Sequence, residues 1–295
     1  MISARTADRI AIGTLWMVAV VAVLLLVLII FHLIEVALPD MNLSFVLGDP
    51  SSTEVGGIFP VIWNSIYMLV LTMLITAPFA VLAGIYMSEY ATPNAVTDGI
   101  RFAQEAMSSV PSIVIGLVGL IVFVGMFRLG FSALAGALAL VVFNLPLMAR
   151  LTEQAIAAVP QDERMASMGL GATKWQTIVK VVLPIAIPGI VTSFVLTAGR
   201  IFGEAAALIF TAGLATPPAY DFTNFDLLSP ASPWSPLHPA TTLSVYIWKL
   251  NSEGIGEFSD RIADGAAAVL IIVVLLFNVS SRLLGRALSR RLTAR

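Results

Sequence analysis

The chain has 295 residues, of which 58% are apolar and 12% charged, with a mean hydropathy of +0.95. A soluble domain carries about 25% charged residues, so this composition cannot clothe a water-facing surface, and lipid must be the solvent for much of the chain. Cysteine is absent, which excludes disulfides and thiolate metal sites, and the two histidines, His32 and His238, lie too far apart in sequence to suggest a metal centre.

The first apolar run, Ile10 to Leu38, follows Arg5 and Arg9 as a signal peptide would. It is far longer than the roughly 7–15 residues of a signal core, so an uncleaved span is predicted. A hydrocarbon core of about 30 Å takes about 20 helical residues. Six stretches meet that length, near 10–38, 58–87, 110–127, 131–150, 186–214 and 262–283. Lipid offers no hydrogen-bond partners, so each must be helical. The third and fourth are separated only by the residues around Arg128 and Gly130, which predicts a tight hairpin. The expected organisation is an N-terminal tail, span and external loop over 1–57, a five-span core over 58–283, and a basic tail over 284–295. Within the core lie a cytoplasmic segment at 151–184 and an external loop at 215–261.

Lys and Arg set the orientation. Arg5, Arg9, Arg101, Arg150, Arg164, Lys174, Lys180, Arg282, Arg286, Arg290, Arg291 and Arg295 fall on one side. Arg128, Lys249 and Arg261 fall on the other, beside Asp40, Asp49, Glu54, Asp221, Asp226, Glu253, Glu257 and Asp260. Both termini are therefore expected in the cytoplasm. The external loop carries Pro217, Pro218, Pro230, Pro233, Pro236 and Pro239, too many for a regular helix. Its apolar stretch Leu243–Trp248 is too short to span and reads either as an interfacial piece or as part of a solvated loop.

The cytoplasmic segment predicts two short helices. Pro160 suits a first helical position, with Asp162 and Glu163 complementing the positive helix end. Gly169 or Gly171 can stop that helix in a left-handed conformation. Thr173 and Gln176 have capping-box spacing for the second, along which Trp175, Ile178, Val179 and Val182 form an apolar stripe. Pro184 disfavours helix at Leu183 and predicts a bend into the fifth span. Periodicity alone leaves two readings open: a surface that docks a partner, or a loop packed on its own spans.

In the fifth span Arg200 and Glu204 are four residues apart, hence on one face of a continuous helix. An Arg near mid-membrane costs about 3 kcal/mol on insertion scales, so it is expected to face protein or water. A guanidinium offers a fork of donors suited to an oxyanion; an Arg–Glu pair that only fastens helices is the other reading. Gly199 and Gly203 form a small-xxx-small pair that admits a neighbouring helix.

The run Met165-Ala166-Ser167, then Gly171, then Val181, Leu183 and Pro184 has the spacing of the loop that marks ABC-importer permeases. That family has Glu-Ala-Ala at the start, where this chain has Met165 and Ser167 in place of Glu and the second Ala. The resemblance implies an all-α, six-span type I ABC-importer permease fold. It also implies a coupling helix, with Glu163, Arg164, Met165, Ala166, Ser167, Met168, Gly171, Lys174 and Trp175 facing an ATPase; Glu163 or Arg164 would supply the charge missing at Met165. The stretch 200–213, Gly-Gly-Ile-Phe-Pro at 56–60, Gly-Ile-Tyr-Met-Ser-Glu-Tyr at 84–90 and Val-Pro-Ser-Ile-Val-Ile-Gly at 110–116 resemble the phosphate-specific branch, A-type permease. This implies a phosphate pathway through Arg200 and Glu204 in a multi-pass protein of the cytoplasmic membrane. The implied partners are a second phosphate permease, two ATP-binding subunits and an external phosphate-binding protein, with no nucleic acid. Another oxyanion such as sulfate or molybdate, or an ion-coupled secondary transporter, are the alternatives. No enzyme activity, cofactor or metal is expected. Lys174, Lys180 and Lys249 follow Thr173, Val179 and Trp248, so no Gly-Lys-Ser/Thr phosphate loop exists and ATP must bind elsewhere.

Overall fold

A computed structural model describes residues 3–50, 56–254 and 258–293, and within these the regular structure is helical. Glu54, Glu257 and Arg295, counted in the charge asymmetry, lie outside the described residues, as do the side chains of Arg286, Arg290 and Arg291. The helix α1 (Ala4–Ala37) begins at a Ser3 cap and is covered by protein only near its C-terminal end, where it meets α12 (Ser259–Thr293). There the Asp40 carboxylate accepts from the Arg261 guanidinium at 2.7 Å. The short α2 (Leu43–Leu47) inserts Phe45 against Gly265 of α12.

Small residues decide which helices form the centre. The helices α3 (Phe59–Ile85, continued by a π-helical turn Tyr86–Tyr90) and α6 (Ala133–Ala157) run side by side. Gly84 of α3 is so close to α6 that a Cβ there would fall 2.7 Å from Thr152 Cγ2, and a Cβ on Gly136 would fall 2.9 Å from Met68 Cε. The spacing is the same in both contacts, so the two helices are parallel. Between them in sequence, α4 (Ala95–Ser109) is amphipathic and held to α6 by Arg101, which donates to Glu153 at 3.0 Å. It turns by 98° into α5 (Ser112–Gly119, with a π-helical continuation Leu120–Met126). The stretch expected at 110–127 is thus a helix of about 20 Å, short of a full crossing, joined to a surface helix the sequence reading did not mark. Five helices are long and apolar enough to cross a membrane, or six if this bent pair counts as one span. The hairpin into α6 is present, with Arg128 at φ 54° and Gly130 at φ 64°.

The segment 151–184 holds α7 (Gln161–Gly169) and α8 (Lys174–Thr177). Gly171, at φ 88°, makes the turn between them, and Thr173 and Gln176 form the capping box. The expected bend at Pro184 is absent: α8 passes through a π-helical turn, Ile178–Val182, directly into α9 (Leu183–Gly203). Pro184 lies in the first turn of α9, and the wider π turn before it absorbs the hydrogen bond that a proline cannot donate.

The proline-rich loop that carries Pro217 to Pro239 is folded rather than loose. Trp63 of α3 donates to Pro233 O at 3.0 Å, Tyr67 to Trp234 O at 2.8 Å and Asn64 to Thr241 O at 3.1 Å. Trp63, Phe222 and Trp234 meet edge to face, and His238 is buried beside them, 3.1 Å from Asn64 Oδ1. The segment Leu243–Trp248 begins α11 (Leu243–Glu253), whose Leu243, Val245 and Tyr246 are buried against α3 and α12 while Trp248 stays exposed, so it is a packed helix and not a solvated loop.

Candidate functional site

The continuous span expected over 186–214 is interrupted. The helix α9 ends at Gly203, Glu204 is extended (φ −76°, ψ 124°), and a separate short helix, α10 (Ala206–Ile209), follows. Two side chains satisfy the broken ladder: Glu204 Oε1 accepts from Ala207 N at 3.1 Å, and Ser244 of α11 donates to Phe202 O at 2.6 Å. The short α10 rests on α5, where a Cβ on Gly116 would lie 2.8 Å from Ala207 Cα.

Arg200 and Glu204 therefore do not sit one helical turn apart on one face, which corrects the expectation from spacing. No ion pair within 4.0 Å joins them among the described residues. The Arg200 guanidinium instead lies 3.8 Å over the ring centroid of Phe143 from α6. No hydrogen-bond acceptor in the described chain takes its N–H donors, and both Arg200 and Glu204 are partly exposed. A guanidinium stacked on a ring is held in place with its planar edge still free to donate. Phe143 lies in an apolar run of α6 where no spacing or motif sets it apart.

Gly199 and Gly203 have no other atom of the chain within 4 Å of where a Cβ would stand. The close helix they were expected to admit is not one of this chain's own. With Thr192 and Leu196 they form an open stripe on α9, and Arg200 borders it.

The surface formed by α7 and α8 divides in two. Met165 (59% exposed), Met168, Leu170 (91%) and Trp175 (56%) project outward, with Glu163 and Ala166 also exposed. Arg164, expected to face a partner, is buried: it donates from Nε and Nη2 to Glu89 Oε1 at 3.1 and 2.8 Å, and from Nη2 to Ile156 O at 2.9 Å. Lys174 stays exposed but lies along the same face of the chain, donating to Glu89 O and sitting 4.7 Å over the Tyr90 ring. Ser167 bonds Thr177 at 2.9 Å, tying α7 to α8. The expected apolar stripe splits, because Ile178 and Val182 join a core with Ile85 and Ile156 whereas Trp175 and Val179 stay exposed. Glu89 stands in the 84–90 motif, but its partner Arg164 is 75 residues away, so spacing does not reveal the pair. No group of three or more metal-ligating residues is present among the described residues.

A bundle of long apolar helices, one of them interrupted after Gly203, is the architecture of a multi-pass membrane protein. The chain belongs to the family of binding-protein-dependent transport system inner membrane components, whose model matches residues 78–294. It is an ABC-importer permease subunit, a non-catalytic membrane component. It is 44% identical over 291 residues to a probable ABC transporter permease protein, YqgI, of Bacillus subtilis (strain 168), covering 98% of this chain and 99% of that one. It is 33% identical over 286 residues to the phosphate transport system permease protein PstA 2 of Mycobacterium bovis (95% and 89% covered). To PstA of Pasteurella multocida it is 31% identical over 256 residues (86% of each). Among solved structures, a chain of a bacterial alginate ABC transporter in complex with a pentasaccharide-bound periplasmic protein shares the fold with a TM-score of 0.66 at 15% identity, covering 96% of both chains. A chain of the inward-facing MetNI methionine ABC transporter does so at 0.57 and 18% identity, covering 78% of this chain and 96% of that one.

Proposed function

We propose that this chain is one permease half of an ATP-driven importer of inorganic phosphate, with both termini in the cytoplasm. The observation that carries the reading is the Arg200 guanidinium: it lies at the break in a membrane helix, held by the Phe143 ring, with no acceptor among the described residues and an open stripe beside it. A phosphate oxyanion supplies the acceptors that this fork lacks. Glu204 stands by with a carboxylate already engaged by Ala207 N, which favours passage over tight capture. The curated relatives named as phosphate permeases support the choice of cargo. On this reading the stripe of Thr192, Leu196, Gly199 and Gly203 meets a second permease, giving a heterodimer. Met165, Met168, Leu170 and Trp175 meet one of two ATP-binding subunits, and the folded external loop faces a phosphate-binding protein.

The test is uptake by the assembled transporter. Losing a charged hydrogen-bond partner removes about 1.5–3 kcal/mol, so Arg200→Gln is expected to slow phosphate uptake by roughly ten- to a hundredfold with the complex still assembled. Arg200→Lys keeps the charge and loses the fork, and is expected to recover only part of that rate. Unchanged uptake in Arg200→Gln would reject the pathway. Sulfate or molybdate uptake in place of phosphate would keep the pathway and reject the cargo.

A further inference from the structure

One buried ion pair fastens the cytoplasmic ends of the two central helices to α7. The side chains of Arg164 and Glu89 are 9% and 8% exposed. The Arg164 guanidinium joins Glu89, at the end of the π-helical turn that continues α3, to the carbonyls of Ile156, Val159 and Pro160, where α6 ends. Three chain ends thus converge on one side chain. A buried charge left without its partner is strongly unfavourable, so these ends are constrained to move together. Lys174 adds α8 to the same knot through Glu89 O.

A second feature lies one membrane leaflet away. The parallel register that sets Gly84 on Thr152 and Gly136 on Met68 also puts Pro78 of α3 level with Pro146 of α6. Each proline removes a helical hydrogen bond, so both helices are weakened at one depth. At that depth Thr76 Oγ1 and Asn144 Oδ1 are buried without hydrogen-bond partners, as is Thr72 Oγ1 a turn further out. Partner-free polar atoms are unfavourable in this packing and favour any rearrangement that pairs them. Arg200, seated on Phe143, is at the same level.

We propose that Arg164 and Glu89 are positioning residues forming the joint through which displacement of α7 reaches α3 and α6. The cytoplasmic halves of these helices then tilt about Pro78 and Pro146 and change the opening at Arg200. This rests on α7 docking an ATPase, and not on which anion is carried.

The test uses spin labels in the assembled transporter at Tyr86→Cys, below Pro78, and Leu283→Cys, on α12, both exposed sites in a cysteine-free chain. Tilting an arm of about 12 Å by about 20° moves its end by roughly 4 Å, so trapping the ADP–vanadate state, formed from ATP and vanadate, is expected to shift the distance by about that much. In Glu89→Gln the shift is expected to vanish while ATP hydrolysis continues, a separation that simple loss of fold does not produce. Should Glu89→Gln fail to assemble, Arg164→Lys is read the same way, since it keeps the charge and loses the fork. No shift in the unmodified pair, or a full shift in the variant, would overturn the proposal. Phosphate uptake is measured in parallel; its absence removes only the cargo assignment, because the distance responds to nucleotide alone.

Discussion

Exchanging Phe143 for leucine isolates the contact that holds Arg200. Phe143 is 2% exposed, and its ring carries the guanidinium at 3.8 Å. Leucine keeps an apolar side chain of somewhat smaller volume, a packing loss of about 1 kcal/mol. It has no ring face, so the cation–π attraction goes as well, about 1 kcal/mol for a half-desolvated pair. Phe143→Leu is therefore expected to destabilise by about 2 kcal/mol, twice the packing loss alone. In an Arg200→Gln background there is no cation to lose, and the same exchange should cost only about 1 kcal/mol. Reversible unfolding of the four proteins in mixed micelles measures the difference directly. Uptake gives a second reading: a guanidinium released from its ring keeps its charge and loses its aim, so KM for phosphate is expected to rise about fivefold, the equivalent of ~1 kcal/mol. Equal penalties in the two backgrounds, within about 0.3 kcal/mol, would show the ring to be filler and leave Arg200 without a positioning partner.

Two further outcomes follow from the packing. Gly84→Ala places a Cβ 2.7 Å from Thr152 Cγ2 and 3.0 Å from Glu153 N; overpacking of this kind costs about 1–3 kcal/mol, so the thermal midpoint of the purified protein should fall, and an unchanged midpoint would contradict the close approach of α3 and α6. Tyr220 donates to Asn64 Oδ1 at 3.0 Å, and burial pushes its phenol from 10.0 up to about 12. The folded state then holds a proton that the unfolded state has released, so this contribution is intact below pH 10 and is lost as pH rises through about 12. In a tyrosinate absorbance titration, Tyr220→Phe should leave the ordinary transition near pH 10 unchanged and remove one tyrosine from the rise near pH 12.

The features legible in the sequence were those governed by local or solvent-wide rules. The long apolar runs became helices because lipid leaves no other way to satisfy a backbone. Thr173, Gln176 and Gly171 shaped the cytoplasmic turn because caps and left-handed residues act within a few positions of themselves. Tertiary contacts overrode that local logic elsewhere. Spacing put Arg200 and Glu204 on one helical face, but Glu204 bonds Ala207 N and Ser244 takes Phe202 O, so the ladder opens between them at little loss. Arg164 reads as an exposed charge on a docking helix, yet it is drawn inward by Glu89, 75 residues earlier, and by the carbonyls at the end of α6. Pro184 reads as a bend, and the π turn ahead of it lets the helix continue. The proline-rich loop lacks any periodic signal, and its order comes from Trp63, Asn64 and Tyr67 of a distant helix.

The break after Gly203 also bears on how an anion is let go. In an unbroken helix Glu204 would stand one turn from Arg200 and form a lasting i,i+4 pair, which an incoming oxyanion would have to displace. The extended Glu204 instead turns its carboxylate to Ala207 N, and the guanidinium is steadied by a neutral ring. A ring face holds a cation in position without accepting its in-plane hydrogen bonds, so the donors stay available to a passing ligand. The negative carboxylate nearby limits how tightly that ligand is held. On the proposed reading, binding at Arg200 is then weak and quickly reversed, and the direction of transport must come from elsewhere, through the ends of α3 and α6 that Arg164 and Glu89 bind to the cytoplasmic helices.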